Sequence, residues 1–356
     1  MLSLIDQVTG FDQERKSAAD AFKQLEFPTR KEPYKYISLS KLFSADQALA
    51  QGSFDVEGAS DEVVVLPLDQ ALKSYSTILK KHFAKQDQDP MTLLGRALMQ
   101  GGLFIYVPPK AKADLRIAEY VDAGVRSSYV HIAIGRLATA KITMESSAET
   151  CHFAHVDCSL EEGSSLHMLH DRKGATWEFE SVRAQLKRDS KLISYHLSKC
   201  QTTRSDLRAA LIGENSSVTF KGLSDLTEKR EAHQHILIEH LAPSTHSEQH
   251  FKTVLSDEAR SSFEGKIYVE SEAQLTRAYQ LNNNLLLGDR AVANSKPNLE
   301  IFADDVKASH GCTMGQLNPD ELFYITSRGV SAANAKQMLK RGFCAEILSE
   351  VKDVFG

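Results

Sequence analysis

The chain has 356 residues, of which 42% are hydrophobic and 25% are charged, which is the composition of an ordinary soluble globular protein. Its net charge is −5 with histidine neutral, and no long run of lysine or arginine offers the clustered cations that nucleic-acid binding needs. The first residues lack the basic segment and apolar run of a signal peptide, and no run of about 18 apolar residues predicts a membrane span. Five cysteines without regular spacing argue against a disulfide framework. We therefore expect a cytoplasmic protein that binds neither nucleic acid nor membrane.

Residues 1–100 are predicted to form an N-terminal helical domain. Apolar residues recur there at steps of three and four, the spacing of one helix face. The clearest stripe comprises Leu68, Ala71, Leu72, Tyr75, Ile78 and Leu79. A short apolar run at residues 63–66 predicts one isolated strand within this zone.

Residues 101–314 are predicted to form a series of successive β-strands, and few patterns in this zone are long enough to predict a helix. The predicted strands are short, rich in β-forming residues and bounded by Asp, Ser, Gly and Asn. They include residues 103–107, 130–134, 192–197, 235–238 and 285–287. The zone is therefore predicted to be a β domain.

A weak repeat runs through the β domain. Ser164, Ser190 and Ser216 are 26 residues apart. Alanines 259, 273 and 291 also follow acidic or glycine residues, at spacings of 14 and 18. Small residues at irregular multiples of a short coil favour a β-solenoid, in which every corner needs a turn former. A jelly roll or a β-sandwich gives similar corners, so the repeat leaves these folds open.

Residues 315–356 are predicted to be helical again and to form a C-terminal domain. Asn318 is a good N-cap, and Pro319 suits the first helical position. Gly329 is expected to end this helix, and Ser331 is expected to cap the next one. Gly342 is expected to break that second helix.

Several stretches resemble the SufB/SufD family of iron–sulfur cluster assembly scaffolds, and within it the SufD branch. The most specific is KPNLEIFADDVKASHGCTMGQ at residues 296–316, followed by LFYITSRG at 322–329. Residues 240–247 and 282–288 fit the same family, and residues 27–36 and 102–108 resemble its early segments. Three positions depart from the family pattern: Tyr34 replaces a Trp, Ala308 replaces a frequent Cys, and Cys312 replaces a common Ala.

The resemblance implies a fold, a role and partners. The fold is mainly β, a right-handed parallel β-helix with N- and C-terminal α-helical domains. The role is that of a scaffold without its own catalysis, which pairs with a SufB-like subunit and carries a SufC-like ATPase on its C-terminal helices. No permanently bound cofactor is implied, only a transient iron–sulfur cluster at the subunit interface, and the sequence gives no sign for or against flavin. The family's key cysteine lies on SufB, and the matching position here falls near Asn282, which favours SufD.

His310 is the residue that the resemblance assigns to the cluster-forming interface. Neutral imidazole is a good iron ligand, and on an extended strand Cys312 points to the same face. The pair would suit mixed nitrogen and sulfur ligation of a transient iron–sulfur species. The alternative is that His310 fixes the last coil by a hydrogen bond and Cys312 is a small core residue.

The C-terminal helices carry a second candidate surface, which the resemblance assigns to the ATPase. Phe323, Tyr324, Arg328 and Met338 combine the aromatic, cationic and flexible apolar character of interface anchors. The alternative is that Phe323 and Met338 form the core of a small helical domain. Unpaired strands at the edge of a β-helix offer a further interface, and a homodimer is expected when the partner is missing.

Other candidate sites in the sequence are weaker. Cys151, His155 and Cys158 do not share one strand face, and they lack the second ligand pair of a structural zinc site. His233 and His235 do share a face and would bind a metal weakly. The pair His167 and His170 lies on opposite faces of an extended strand, while Cys200 and Cys344 are expected to be packing residues.

Two alternative functions follow from the same residues. The phosphate-binding motif of P-loop ATPases and the Gly-x-Ser-x-Gly motif are both absent from the sequence, so neither activity is expected. A carbohydrate-active β-helix enzyme would need carboxylates clustered in a groove. A SufB-like or self-pairing scaffold would hold a cluster with its own ligands, and Cys312 keeps this second alternative open.

Overall fold

The computed structural model describes residues 2–25, 34–40, 42, 47–83, 87 and 89–356. Most of segment 27–36, which carries part of the family resemblance, therefore lies outside the described residues. The described helices are α1 Leu2–Ile5, α2 Asp12–Gln24, α3 Leu68–Ser74, α4 Ser76–Phe83, α5 Pro90–Ala97, α6 Pro319–Ser327 and α7 Ala332–Phe355. The first nine strands are β1 Gly52–Glu57, β2 Val64–Pro67, β3 Gly101–Val107, β4 Lys112–Val121, β5 Val125–Ile134, β6 Thr139–Ala148, β7 Cys151–Leu160, β8 Ser165–Lys173 and β9 Trp177–Leu186. The remaining strands are β10 Lys191–Lys199, β11 Thr202–Leu211, β12 Ser217–Leu226, β13 Glu231–His240, β14 His246–Leu255, β15 Arg260–Val269, β16 Arg277–Leu286, β17 Val292–Ile301 and β18 Lys307–Gly315.

From β3 onward, successive strands alternate between two nine-stranded sheets. The even-numbered strands from β4 to β18, together with β1, form one sheet, which we call sheet B. The odd-numbered strands from β17 back to β3, together with β2, form the other, sheet A. All of the coil-to-coil pairings are parallel, as in β8 with β10 and β9 with β11. The expected parallel β-solenoid with helices at its termini is confirmed, and the antiparallel jelly roll and sandwich are excluded.

The 26-residue serine repeat marks one corner of three consecutive coils. Ser164, Ser190 and Ser216 each precede a strand of sheet B, and each hydroxyl donates a hydrogen bond of 2.6–2.7 Å to the carbonyl three residues earlier. The residue before each serine adopts a left-handed backbone, with φ of 56° at Asp189 and 59° at Asn215. A small residue whose side chain can hydrogen-bond to the nearby backbone is therefore required there, because the chain reverses inside a buried turn.

The alanine series has a different meaning. Ala259 and Ala291 each precede a strand of sheet A, whereas Ala273 lies in the turn that leads to sheet B. The spacings of 14 and 18 residues are therefore successive half-coils, and they are unequal because Ala273 lies in the middle of its turn, whereas Ala259 and Ala291 directly precede their strands.

The interior between the sheets is apolar along one side. Ile142 and Leu166 from sheet B meet Ile132, Val156 and Val182 from sheet A in a single buried cluster. Because strand residues alternate between faces, only every second residue of each strand contributes to this core.

Two antiparallel strands close the N-terminal end of the sheets. β2 overlaps the predicted strand at residues 63–66, but it is not isolated, because it pairs with β3. β1 pairs with β4 and was not predicted from the sequence. Both strands cover edges that would otherwise be open. Leu68, Ala71 and Leu79 of the predicted helical stripe are buried, as expected.

Helix α5 packs flat on the outer face of sheet A. All its residues from Met91 to Ala97 are buried, and Asp89 caps its N-terminus by accepting hydrogen bonds from two backbone N–H groups. Gly95 lies at the closest approach. A Cβ atom there would lie 2.7 Å from Cε1 of His155 and 2.9 Å from Cδ1 of Phe153, and closer still to Nε2 of His155.

Substituting Gly95 with alanine is expected to lower the free energy of unfolding by about 2 kcal/mol, because overpacking a dense interface costs about 1–3 kcal/mol. The imidazole cannot swing away freely, since its Nδ1 is hydrogen-bonded to Ser181 Oγ at 2.8 Å. Gly342→Ala in the exposed middle of α7 is the matched control, because nothing lies within 4 Å of its added methyl group. Urea unfolding should show a gain of about 0.5–1 kcal/mol for the control, and equal effects of the two substitutions would contradict this packing.

The C-terminal residues form two helices rather than three. Asn318 and Ser331 cap α6 and α7 through their side chains, as predicted. The expectation that Gly342 breaks the second helix is wrong, because α7 continues through it to Phe355. A single glycine costs an exposed helix only about 1 kcal/mol, and tertiary contacts hold α7 on sheet B. Cys344 and Ile347 of α7 pack there with Tyr195, Val254 and Leu285.

Candidate functional site

The last coil of the solenoid consists of β17 and β18, the terminal strands of the two sheets. His310 lies in β18 opposite Gln280 of β16, and Cys312 lies opposite Asn282. Both His310 and Cys312 are exposed. Within the described part of the chain, β18 pairs with β16 alone, so one edge of the strand is open.

His310 and Cys312 continue two rows of side chains that are buried in the preceding coils. Gln280 and Asn282 are inward-facing and almost completely buried, and the Nε2 of Gln280 donates a 2.7 Å hydrogen bond to Oε1 of Gln249 one coil earlier. Because β18 is in register with β16, strand alternation places His310 and Cys312 on this same inward-facing side. They are exposed because no later coil covers them. The hypothesis that His310 fixes the last coil finds no hydrogen bond to support it among those of the described residues.

The two side chains offer one imidazole and one thiol on a shared face at an open strand edge. Nearby amides hold the underlying rung in place: Asn284 donates to Asn282 Oδ1 at 2.7 Å, and Asn283 donates to Thr313 Oγ1 at 2.8 Å. Nitrogen and sulfur donors of this kind suit iron–sulfur species.

We expect a thiol-specific reagent to modify Cys312 rapidly and the other four cysteines not at all under native conditions. Cys151, Cys158, Cys200 and Cys344 are buried, and burial raises the pKa of each of these thiols. A buried neutral thiol is a poor nucleophile. Intact-mass measurement should therefore show a single adduct, which disappears in Cys312→Ser. Multiple adducts without denaturant would contradict the burial described here.

The predicted ATPase-binding residues lie on the outer side of the C-terminal helices. Phe323 is 73% exposed, Tyr324 59% and Met338 52%. Arg328 stacks 4.8 Å above the ring of Tyr324 and donates a 3.0 Å hydrogen bond to its hydroxyl. The alternative that Phe323 and Met338 are core residues is wrong, because both side chains are exposed, and α7 packs on sheet B through other residues such as Cys344 and Ile347.

A column of charged side chains fills the other side of the solenoid interior, and sequence reasoning missed it. His152 lies 3.1 Å from Glu178 and 3.2 Å from Glu119, and all three are buried. Burial alone would lower the pKa of His152, but these two carboxylates raise it to about 9. His152 is therefore a buried cation at neutral pH, held between two carboxylates.

The next two coils place three more polar residues together. Glu180 of β9 lies 2.9 Å from Nδ1 of His170 and 3.0 Å from Nδ1 of His196. Burial lowers the pKa of His170 to about 4, so this imidazole is neutral. Burial would raise the pKa of Glu180, but the adjacent His196 holds it well below the usual range. His196 was not predicted as a site residue, although it follows His170 by the same 26 residues as the serine repeat.

A separate ionic cluster lies on the outer face of sheet A, beneath the N-terminal segment. Asp206 is 2.8 Å from Arg183, 2.8 Å from Arg208 and 2.8 Å from His235. The charges of these groups hold the pKa of Asp206 well below the usual range, although burial opposes the shift. A neighbouring cavity of about 210 Å³ is lined by Arg183, Arg208 and other charged side chains. Two of its three carboxylates, Asp87 and Asp157, are paired with arginines, which disfavours the paired acids of a glycosidase.

The weaker sequence candidates lie apart from one another. His233 bonds Ser262 and Glu231, while His235 bonds Asp206, so the pair serves different contacts. Cys158 faces Met168 in the apolar interior, whereas Cys151 packs in the cluster on the outer face of sheet A. Among the described residues, His170, Glu180 and His196 are the one group of three potential metal ligands whose ligand atoms all lie within 4.8 Å of one another.

Nearly the whole solenoid matches models of one known protein family. Residues 119–343 match the family model described as "SUF system FeS cluster assembly, SufBD core domain", and residues 48–118 match "SufBD protein N-terminal region". The chain is 31% identical to the iron–sulfur cluster assembly protein SufD of Escherichia coli over 240 residues, which cover 67% of this chain and 54% of that protein. It is 34% identical to an iron–sulfur cluster assembly SufBD family protein of Synechocystis over 204 residues, 57% of this chain and 43% of that protein. SufD of Bacillus subtilis is 25% identical over 347 residues, 86% of this chain and 74% of that protein.

The chain spans about half the length of the first two of these relatives. In the described part of the chain, no helix has both the length and the apolar character needed to span a membrane.

Proposed function

The chain belongs to the SufBD family of iron–sulfur cluster assembly proteins, and on that premise we propose that it is a SufD-like scaffold subunit without catalytic chemistry of its own. It pairs with a SufB-like subunit through its last coil and carries a SufC-like ATPase on its C-terminal helices. The nascent iron–sulfur cluster is the cargo of this assembly rather than a resident cofactor.

The observation that carries the proposal is the exposure of His310 on the last strand of sheet B. The imidazole stands on the inward-facing side of a coil that no further coil covers. Unpaired strands accept another chain through main-chain hydrogen bonds. A partner solenoid docked there would enclose His310 and could supply the thiolates that this chain lacks at Asn282.

The C-terminal helices supply the second docking surface. Phe323, Tyr324 and Met338 present exposed apolar area beside the guanidinium of Arg328, a composition that interface hot spots favour. The helices themselves are fastened to the solenoid, since Glu350 pairs with Lys221 at 2.9 Å and the Nζ of Lys252 donates to the carbonyl of Phe343 at 3.0 Å. Movement of a bound ATPase would thus be transmitted to sheet B.

The test is anaerobic co-expression with SufB-like and SufC-like partners, followed by measurement of complex mass, iron and labile sulfide. The wild-type chain should form a complex that contains both. The variant His310→Ala should form the same complex but lose most of its iron and sulfide. His246→Ala, which removes another histidine of sheet B two coils before the open end, is the control and should retain them. Failure of the chain to join any complex would overturn the proposal.

A self-pairing scaffold is the second candidate, and the exposed Cys312 beside His310 favours it. Two copies joined at their open edges would bring two imidazoles and two thiols together. The distinguishing result is cluster content in the chain purified alone. A cluster there that is lost in Cys312→Ser would support self-pairing, whereas its absence supports the SufD-like role.

A further inference from the structure

His170, Glu180 and His196 form a compact cluster in the closed interior of the solenoid, several coils away from the open end. Their candidate ligand atoms all lie within 4.8 Å of one another. The side chains of all three are at least 94% buried, with 0%, 3% and 6% exposed. No step of the proposed function uses them.

The coil geometry brings these residues together from two sheets. His170 and His196 occupy the same position in β8 and β10, and their rings stack at 4.6 Å. Glu180 reaches them from β9 across the interior. In the following coil the same position is occupied by Gly222, and the ring of Phe251 fills the space that a side chain would take there. The row of histidines therefore ends at the apolar ring of Phe251, which separates the cluster from the following coils.

The hydrogen bonding around the cluster is incomplete. Arg172 donates to Nδ1 of His170 at 3.2 Å, so this nitrogen presents a lone pair. Glu180 Oε1 lies 2.9 Å from the same nitrogen and yet accepts no hydrogen bond. Two electron-rich atoms thus face each other in a dry interior, where an unsatisfied carboxylate oxygen is costly.

We propose that His170, Glu180 and His196 bind one divalent first-row transition-metal ion, such as Zn²⁺ or Fe²⁺, as a resident structural site. Two imidazoles and one carboxylate form a donor set that these ions prefer. A separation of 2.9–3.0 Å between nitrogen and carboxylate oxygen fits neighbouring ligands on one ion at bond lengths of about 2.1 Å. The ion satisfies the carboxylate oxygen that now accepts no hydrogen bond.

The surrounding charges accommodate such an ion. Arg172 is the nearest cation: its Nη2 lies 3.2 Å from Nδ1 of His170, and its Nε lies 3.7 Å from both Glu180 and Glu178. When the metal binds His170 and Glu180, Arg172 gives up its hydrogen bond to Nδ1 of His170 and keeps Glu178 as its carboxylate partner. This site is independent of the proposed scaffold function, because it shares no residue with the open end.

The test is the metal content of the chain purified from cells grown with added zinc and washed with a chelator. Because the site is closed, metal enters during folding and should survive the wash at one ion per wild-type chain. Glu180→Gln keeps the shape of the side chain and should weaken retention by more than about 100-fold, since losing even an outer-shell partner costs about 10–100-fold. His310→Ala is the control and should retain the ion. Full retention in Glu180→Gln would overturn the proposal.

X-ray absorption of the zinc-loaded wild-type chain tests the same site without any substitution that might impair folding. We expect the first coordination shell of the zinc ion to contain nitrogen and oxygen atoms only. The outer shells should show the scattering of two imidazole rings. Sulfur in that shell, or a wild-type chain that retains no metal after the wash, would rule out the site.

Discussion

Replacing Asp206 with asparagine is expected to lower the free energy of unfolding by about 3–5 kcal/mol, the range for removing one member of a buried ion pair. Asparagine keeps the size of the side chain and removes only its charge. Asp206 is buried and lies within 2.8 Å of Arg183 and Arg208. The substitution therefore leaves Arg183 and Arg208 without the charge of one of the carboxylates that they contact on the outer face of sheet A.

The effect should extend to the N-terminal segment, because the same cluster connects it to the solenoid. Arg183 contacts Asp87 at 2.7 Å, and Arg204 contacts Asp89 at 3.3 Å while stacking 4.2 Å from the ring of Tyr34. Asp89 is also the N-cap of α5. Loss of Asp206 thus weakens both the outer face of sheet A and the helix docked on it.

Urea unfolding followed by circular dichroism measures this effect. Glu145→Gln is the control, because its pair with Arg116 lies on the surface, where screening leaves ion pairs little net stabilisation. The control should unfold at the wild-type urea concentration. An unchanged midpoint for Asp206→Asn would show that the cluster contributes nothing to stability.

Raising the pH from 6.5 to 9 is expected to destabilise the chain by roughly 3 kcal/mol through His152, since each pKa unit is worth about 1.4 kcal/mol. The native pKa of His152 is raised to about 9 by Glu178 and Glu119 despite burial. In the unfolded chain the imidazole has its ordinary value near 6.5. The native state thus binds the proton more tightly, so the stabilisation is complete below pH 6.5 and is lost as the pH rises towards 9.

The measurement is the urea-unfolding free energy at intervals across this pH range. His152→Gln should be less stable at pH 6.5 and should show a much flatter profile up to pH 9. Other buried histidines do not obscure the result, because burial lowers the pKa of His155 and His240 to about 3 and their proton linkage acts below pH 6.5. A wild-type stability that is constant or increases across the range would contradict a protonated His152.

The corner residues favoured a solenoid without excluding a jelly roll or a sandwich, and the family resemblance supplied the parallel β-helix. A small serine follows a left-handed position at three corners that lead to sheet B, and the spacing of Ser164, Ser190 and Ser216 matches the 26-residue length of these coils. Caps are equally local, so Asn318 and Ser331 marked their helices correctly. Gly342 was misjudged because the packing of Cys344 and Ile347 on sheet B overrides a single residue's propensity.

The charged interior was not predicted, since it depends on contacts between coils and across sheets. The 26-residue spacing could have paired His170 with His196, because the serine repeat already fixed that register. Nothing comparable places Glu180, which approaches from the opposite sheet. His310 and Cys312 were found through family resemblance together with strand alternation, and their exposure depended on where the last coil ends.

Protection of Cys312 from a thiol reagent by a SufB-like partner tests most directly whether the open end of the solenoid is the docking surface. Its thiol is exposed in the free chain, two residues from His310 on the same face. We expect its labelling rate to fall to a small fraction of the free rate when the partner binds and to stay unchanged when a SufC-like ATPase binds alone. A stable complex with the SufB-like partner in which Cys312 labels as fast as in the free chain would contradict the proposed interface.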